Sequence, residues 1–342
     1  MTQQQWEVKV LGGFLALLSA ATFAFETATA RRGVLTATVF QALSITVPLG
    51  VPIFFLVAAA FGALGSILGF SAEAIVYLAL AGVLHFVWGR YCNYRASKAM
   101  GANLVAPVQQ SNMLVTLALA IWILGEHLTP LRVLGIGLVV LGPALTYDRS
   151  HRKKSDTIAG APIETDAHKV FQPNYAEGYL FALLSSTGYG ISPVLVRLAL
   201  ENRSLESSLG GGLISYVAAT VAFALILLLP GQWRHVRSLD RGAAKWFAIS
   251  GVCVCFAQML RYMALTLAPV SVVTTIQRLS LVFRLYFSRI INPEHEVFGG
   301  RIIAATIVSL AGALALSVST EVVQSLLPLP DWTQSVLNWR WP

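Results

Sequence analysis

Apolar residues in this chain do not alternate or keep to one helical face; they come in runs. From Lys9 to Ser319, stretches of about twenty mostly apolar residues are separated by short segments rich in charge, Gly or Pro. A helix of that length crosses the hydrocarbon of a bilayer, where each backbone polar group must be satisfied within its own segment. Ten runs qualify: Lys9–Ala30, Thr38–Phe61, Glu73–Tyr94, Ala102–Leu124, Pro130–Tyr147, Glu177–Leu198, Leu209–Leu229, Ala243–Leu265, Val270–Ile291 and Phe298–Ser319. Between the fifth and sixth, Asp148–Ala176 is the one long polar stretch, and its mixed charge, Pro and Ser mark a solvated connector rather than a domain. After Thr320 the tail carries Trp332, Trp339 and Trp341. It reads equally as a short interfacial helix capped by Asp331 and as a loose tail with aromatic anchors.

The pattern occurs twice. Laying Tyr94–His127 on Tyr262–His295, a shift of 168, matches Tyr94/Tyr262, Ala96/Ala264, Val105/Val273, Gln109/Gln277, Leu117/Leu285, Glu126/Glu294 and His127/His295. Nearer the start, Gly12, Ala16-Leu17-Leu18-Ser19 and Arg31 fall on Gly178, Ala182-Leu183-Leu184-Ser185 and Arg197 at a shift of 166. Two similar shifts in the same order describe a duplicated half-protein of roughly 150 residues. The expected organisation is therefore 9–147 and 177–319 as repeats, 148–176 as connector and 320–342 as tail. Five spans per copy is an odd number, so the second copy must enter the membrane from the opposite side. The expected fold is an all-α membrane protein of ten transmembrane helices in two inverted five-helix repeats. The first run resembles a signal peptide, with Ala28-Thr29-Ala30 like a cleavage site. However, Lys9 is balanced by Glu7 and its copy at Gly178–Arg197 is internal, so it reads as a retained span.

Composition agrees and excludes other classes. The 342 residues are 56% hydrophobic and 12% charged, with mean hydropathy +0.68, whereas soluble domains carry about 25% charged residues. The net charge of +8 does not point to nucleic acid, because the basic residues sit in short loops and no soluble basic face exists. Cys92, Cys253 and Cys255 lie in apolar segments; the Cys-x-Cys pair has no His or Cys nearby and reads as packing, with no disulfide and no metal site. There is no catalytic constellation, no phosphate-cradling glycine loop and no cofactor motif, so no enzyme is expected. His127 and His295 each follow a Glu directly and point to a different helical face, which makes poor joint ligands.

Polar groups at membrane depth are expensive and usually mark a pathway. Glu26 in the first run, His85, Trp88 and Arg90 in the third, and Gln109, Gln110 and Asn112 in the fourth qualify. So do Gln258 and Arg261 in the eighth and Gln277, Arg278 and Arg284 in the ninth. Runs 2, 5, 7 and 10 are nearly clean and should face lipid or one another. Arg90, Arg261 and Arg289 lie near predicted ends and are expected to snorkel; Glu126 and Glu294 are expected to bond loop backbone. Gln109, Gln277, Arg278 and Arg284 are the chief substrate-binding candidates, with Asn112, Gln258 and Trp88 beside them. Glu26 and His85 are the proton or counter-charge candidates. Pro48, Pro52, Pro107 and Pro193 should bend their helices, and Pro107 beside Gln109 places a bent backbone next to a polar side chain.

Over Arg95–Gly142 the sequence resembles the EamA-type drug/metabolite transporter superfamily. The motifs are Met100-Gly101-Ala102, Ala106-Pro107-Val108 and Leu124-Gly125-Glu126-His127-Leu128, followed by a glycine-bearing fifth run. The second copy repeats them as Ala264-Leu265, Ala268-Pro269-Val270-Ser271 and Pro293-Glu294-His295, departing at Asn292-Pro293-Glu294 and in having Arg278 and Arg284. The resemblance implies ten helices, two inverted repeats, a central cavity for small organic solutes, frequent export, and termini in the cytoplasm. The function expected is secondary transport, by alternating access, of a small polar or anionic metabolite, with a proton as coupling ion. A homodimer is compatible with this, and the other reading is a non-transporting membrane receptor or assembly subunit. Charge bias gives a different orientation from the family. With the N-terminus on side A, side B collects fourteen Lys and Arg, including Arg31, Arg95 and Lys98, against five on side A. The positive-inside rule then makes side B the cytoplasmic side of a plasma (inner) membrane, with both termini outside.

Overall fold

The structure, a computed structural model, describes residues 3–124, 127–146, 171–200, 205–267, 270–317 and 339. Glu126, residues 148–170 of the connector, and the tail around Asp331, Trp332 and Trp341 lie outside the described residues. Helices account for the fold: α1 (Gln3–Thr36), α2 (Val39–Thr46), α3 (Gly50–Ala60), α4 (Ala72–Met100), α5 (Ala102–Gln109), α6 (Asn112–Leu124) and α7 (Pro130–Thr146). They continue with α8 (Tyr175–Leu200), α9 (Leu205–Leu227), α10 (Gln232–Arg237), α11 (Arg241–Leu267), α12 (Val270–Gln277), α13 (Ser280–Ile291) and α14 (Gly300–Ser317). Among the described residues, eight helical stretches are long and apolar enough to cross a membrane, and α7 is a shorter apolar helix.

Local sequence sets the ends. Thr38 Oγ1 accepts the Gln41 amide at 3.2 Å while Gln41 Oε1 accepts the Thr38 amide at 3.0 Å, a reciprocal cap that starts α2. Ser71 caps α4 by a single bond, accepting the Ala74 amide at 3.2 Å. Pro48 separates α2 from α3, as expected, whereas Pro193 is carried inside an unbroken α8. Two helices outrun their predicted limits. Helix α1 continues past Arg31 and Arg32, and α4 continues to Met100 with a π-helical stretch at Val83–Gly89. A π turn offsets the faces of the helix above and below it and is common at functional sites.

The fourth and ninth predicted runs are each broken. Helix α5 spans 102–109 and α12 spans 270–277; α6 starts at 112 and α13 at 280, so each bound is displaced by 168. The hydrogen bonds across the breaks correspond too. Gln110 and Ser111 donate to Pro107 and Val108, and Arg278 and Leu279 donate to Thr275 and Ile276, at 3.0–3.2 Å. These i→i−3 bonds tighten the chain into a 3₁₀ turn in both copies.

Packing exchanges partners in a mirrored way. Helix α1 lies along α11 and against α12 and α13; α8 lies along α4 and against α5 and α6; α7 and α14 pack on each other. Small residues permit the close approaches, as is usual where lipid replaces water as solvent. Ala16, Ala20, Ala24 and Ala28 form one fully buried stripe on α1. At the α7–α14 contact, a Cβ on Gly142 would overlap Ser309, and one on Gly312 would stand 2.7 Å from the Val139 amide.

Candidate solute-binding site

The alanine stripe brings α1 against α11 and buries Glu26, which is 8% exposed. Glu26 Oε1 accepts the Tyr94 hydroxyl at 3.0 Å and the Ser250 hydroxyl at 3.0 Å, and Oε2 accepts Thr27 Oγ1 at 3.3 Å. Three helices thus meet on one carboxylate. No Lys or Arg among the described residues bonds it, although Arg90 and Arg284 stand within electrostatic reach.

The breaks present the matched glutamines. Gln109 Oε1 accepts both Nη1 and Nη2 of Arg284 at 3.3 Å, joining the last residue of α5 to the second copy's α13. Gln277 does not face the same group: its Nε2 donates to Ser19 Oγ at 3.1 Å, and that hydroxyl donates to the Ala257 carbonyl at 2.7 Å. Ser186 of α8 has its shortest hydroxyl bond to the Ala182 carbonyl of its own helix, at 2.9 Å, and stands 3.4 Å from the Gln109 carbonyl at the first break. Asn112 begins α6 with its Oδ1 buried and unpartnered among the described residues.

Further groups surround these. His85, in the π turn, pairs Nδ1 with Ser192 Oγ at 2.9 Å and packs on Tyr189, ring centroids 4.6 Å apart. Trp88 is half-exposed and donates its indole N–H to the Leu184 carbonyl at 3.2 Å. Gln258 is half-buried one turn before Arg261. Arg90 does not snorkel. It is 4% exposed, lies over the Phe86 ring and donates to the Thr46 carbonyl at 2.8 Å, because the bend at Pro48 leaves that carbonyl without a helical partner.

One end of the bundle is tied together by a buried ion pair that the sequence did not announce. Arg31 Nε donates to Glu296 Oε1 at 3.2 Å, both side chains fully out of solvent. Its other nitrogens donate to the Lys98 and His295 carbonyls at 3.3 and 2.8 Å. Glu296 also accepts the Ala102 and Asn103 amides at 2.7 and 2.9 Å, so it caps the first turn of α5 from across the fold. Burial pushes the Glu296 carboxyl above the ordinary range, opposed by Arg31 and those two amides. Gly101 must be glycine here: its φ is +89°, and a Cβ would sit 2.8 Å from Glu296 Oε2. Lys98 donates to Ala37 and Asn292 to Ala28, both carbonyls at this same end of α1. Two expectations are corrected. Arg31 is a buried structural cation, not a loop charge, and Glu296, rather than the exposed Glu294, holds loop backbone. A cavity of about 490 Å³ opens nearby, lined by Tyr91, Arg95, Lys98, Phe171, Asn174 and Glu177. It lies beside the tied end and is not lined by Glu26, Gln109 or Gln277.

Sequence reasoning located Glu26 but missed its holders. Tyr94 carried a signal, since it heads the repeat alignment with Tyr262; Ser250 carried none.

Long apolar helices, two of them broken at matched places around buried charge, define a multi-pass membrane protein of the transporter kind. The chain belongs to the EamA-like transporter family, whose model matches residues 10–147 and 176–318, one stretch for each copy. It is thereby a membrane transporter of the drug/metabolite type. Among the solved structures similar in fold is a crystal structure with a TM-score of 0.50 and 18% identity, covering 94% of this chain and 98% of the other. No curated protein matches the chain in sequence.

Proposed function

We propose that this chain is a secondary exporter of a small anionic metabolite. In this reading ten crossings form two inverted five-span repeats, and rocking of the bundle exposes a midplane site to either side in turn. The observation that carries it is the pair of identical helix breaks, because the first is bonded directly to a cation of the other copy through Gln109 and Arg284. Backbone unwound at membrane depth is tolerated only where it is buried in protein or lines a water-filled path. Arg278 and Arg284 face the solute, with Gln109, Gln277, Asn112 and Gln258 supplying neutral contacts. Glu26 carries the coupling proton, with His85 as its relay. Charge supports anions: Arg90, Arg278 and Arg284 outnumber the single carboxylate of Glu26 among the described residues of this region. The tied end, with Arg95 and Lys98, is the cytoplasmic one by the positive-inside rule.

Flux of radiolabelled anions into proteoliposomes tests the reading. Concentrative uptake driven by an imposed pH gradient, lost in Arg284→Gln, supports it. Absence of flux for every anionic solute tried, with the protein folded, leaves the receptor or assembly-subunit reading instead.

A further inference from the structure

Arg261 and Arg278 are the two cations of the bundle interior that the described contacts leave unanswered. They come from different elements, α11 and the turn between α12 and α13, and stand close enough to repel each other. The Nε of each is buried with no acceptor among the described residues. Their neighbours each have at least one partner: Arg31 has Glu296, Arg90 has the Thr46 carbonyl, and Arg284, whose Nε is likewise open, has Gln109 on both terminal nitrogens. Helix-end snorkelling does not explain them. Arg278 sits in the 3₁₀ turn inside the predicted ninth run, and Arg261 precedes the end of α11 by six residues. Two guanidinium groups on helices that pack together, each with a buried and open Nε, are costly until an anion joins them.

We propose that Arg261 and Arg278 together bind a phosphate group, forming a station on the solute path distinct from the Gln109–Arg284 contact. The inference rests on the transport reading only in placing this station on the path. Phosphate fits better than a simple carboxylate for a countable reason. A monocarboxylate brings one charge and two oxygens, which one arginine fork saturates, leaving the second cation unneutralised. A phosphate monoester brings close to two charges at neutral pH and three terminal oxygens, enough for both forks. Gln258, three residues before Arg261 on the same helical face, is placed to add a neutral donor. Two sources share this chemistry: a phosphorylated solute and a phospholipid headgroup.

The test uses the purified full chain in nanodiscs and reads the thermal unfolding midpoint against inorganic phosphate, glycerol 3-phosphate and acetate at equal ionic strength. The solute form predicts a rise with both phosphates, none with acetate, and at least a tenfold weaker apparent affinity in Arg261→Gln and Arg278→Gln. The lysine variants should retain part of it, and they replace the glutamine variants if those fail to fold. The lipid form predicts no response to soluble phosphate, but a phospholipid that copurifies with the wild-type chain and is lost from Arg261→Gln by native mass spectrometry. Equal effects of acetate and phosphate, or phosphate responses unchanged in both variants with no lipid lost, overturn the proposal. Flux separates the two readings. Phosphate binding without flux of any solute removes the transport reading and keeps the site. Flux that needs Arg284 yet is indifferent to Arg261 and Arg278 removes the station, and with it the place of Arg278 in the solute site, and keeps transport at Arg284.

Discussion

Arg284 places both of its terminal nitrogens 3.3 Å from the same oxygen of Gln109, so a guanidinium of one repeat is held by the break of the other. A neutral acceptor orients a cation without cancelling its charge. The geometry therefore keeps Arg284 positive and fixed, which is the condition for recognising an anion.

Gln109→Leu should uncouple that arrangement. The bond is to a charged donor and is worth about 1.5–3 kcal/mol, so the protein should fold with a lowered melting midpoint while anion flux falls at least tenfold. Gln277→Leu removes only a neutral bond to Ser19, worth about 1 kcal/mol, and should cost less stability while still impairing flux. Flux rates in proteoliposomes beside melting curves check both, and full activity in the two variants would return these glutamines to packing roles.

Glu26→Gln should abolish proton-coupled movement and leave the bundle folded, because an amide oxygen still accepts from Tyr94 and Ser250. Tyr94→Phe should slow flux several-fold without removing its dependence on the pH gradient. A pH-sensitive dye trapped in the vesicles reads both. Undiminished proton movement in Glu26→Gln would exclude Glu26 as the coupling site.

The buried pair at the tied end carries a stability prediction. Glu296→Ala strands the Arg31 guanidinium and uncaps α5, at a cost of about 3–5 kcal/mol, the range for removing one partner of a buried pair. Gly101→Ala should also destabilise, by about 1 kcal/mol or more, through its positive φ and the clash with Glu296. Denaturation of the two variants and of the double variant should be non-additive, since both act on the same carboxylate. Additive effects would mean the contact does not couple them.

Orientation can be read at Arg237, exposed in α10 among Arg234 and Arg241. A cysteine there should be modified in intact cells by a membrane-permeant maleimide but not by an impermeant one. Labelling from outside would reverse the assignment and return the termini to the cytoplasm, as the family resemblance implies.

The helices were legible because lipid imposes a length and a composition that any run of about twenty residues displays. The duplication was legible for the same reason: Gln109 and Gln277 stand out against apolar neighbours. The break was half legible through Pro107, but Thr275 holds the corresponding place, and nothing local announces a turn there. The Arg31–Glu296 pair was invisible, since 265 residues separate its members and each looks like an ordinary loop charge. Arg90 was misjudged on distance from a predicted helix end that the structure moves to Met100.

Pro107 and Thr275 precede matched turns. Proline has no amide hydrogen to give back to its helix, and the bond it omits is the one to the Asn103 carbonyl, a full turn before the break. Threonine keeps its amide, yet the chain creases at the same place, so neither residue is what opens the helix. What the copies share is therefore the crease itself, held by the fold around it rather than by the residue that precedes it.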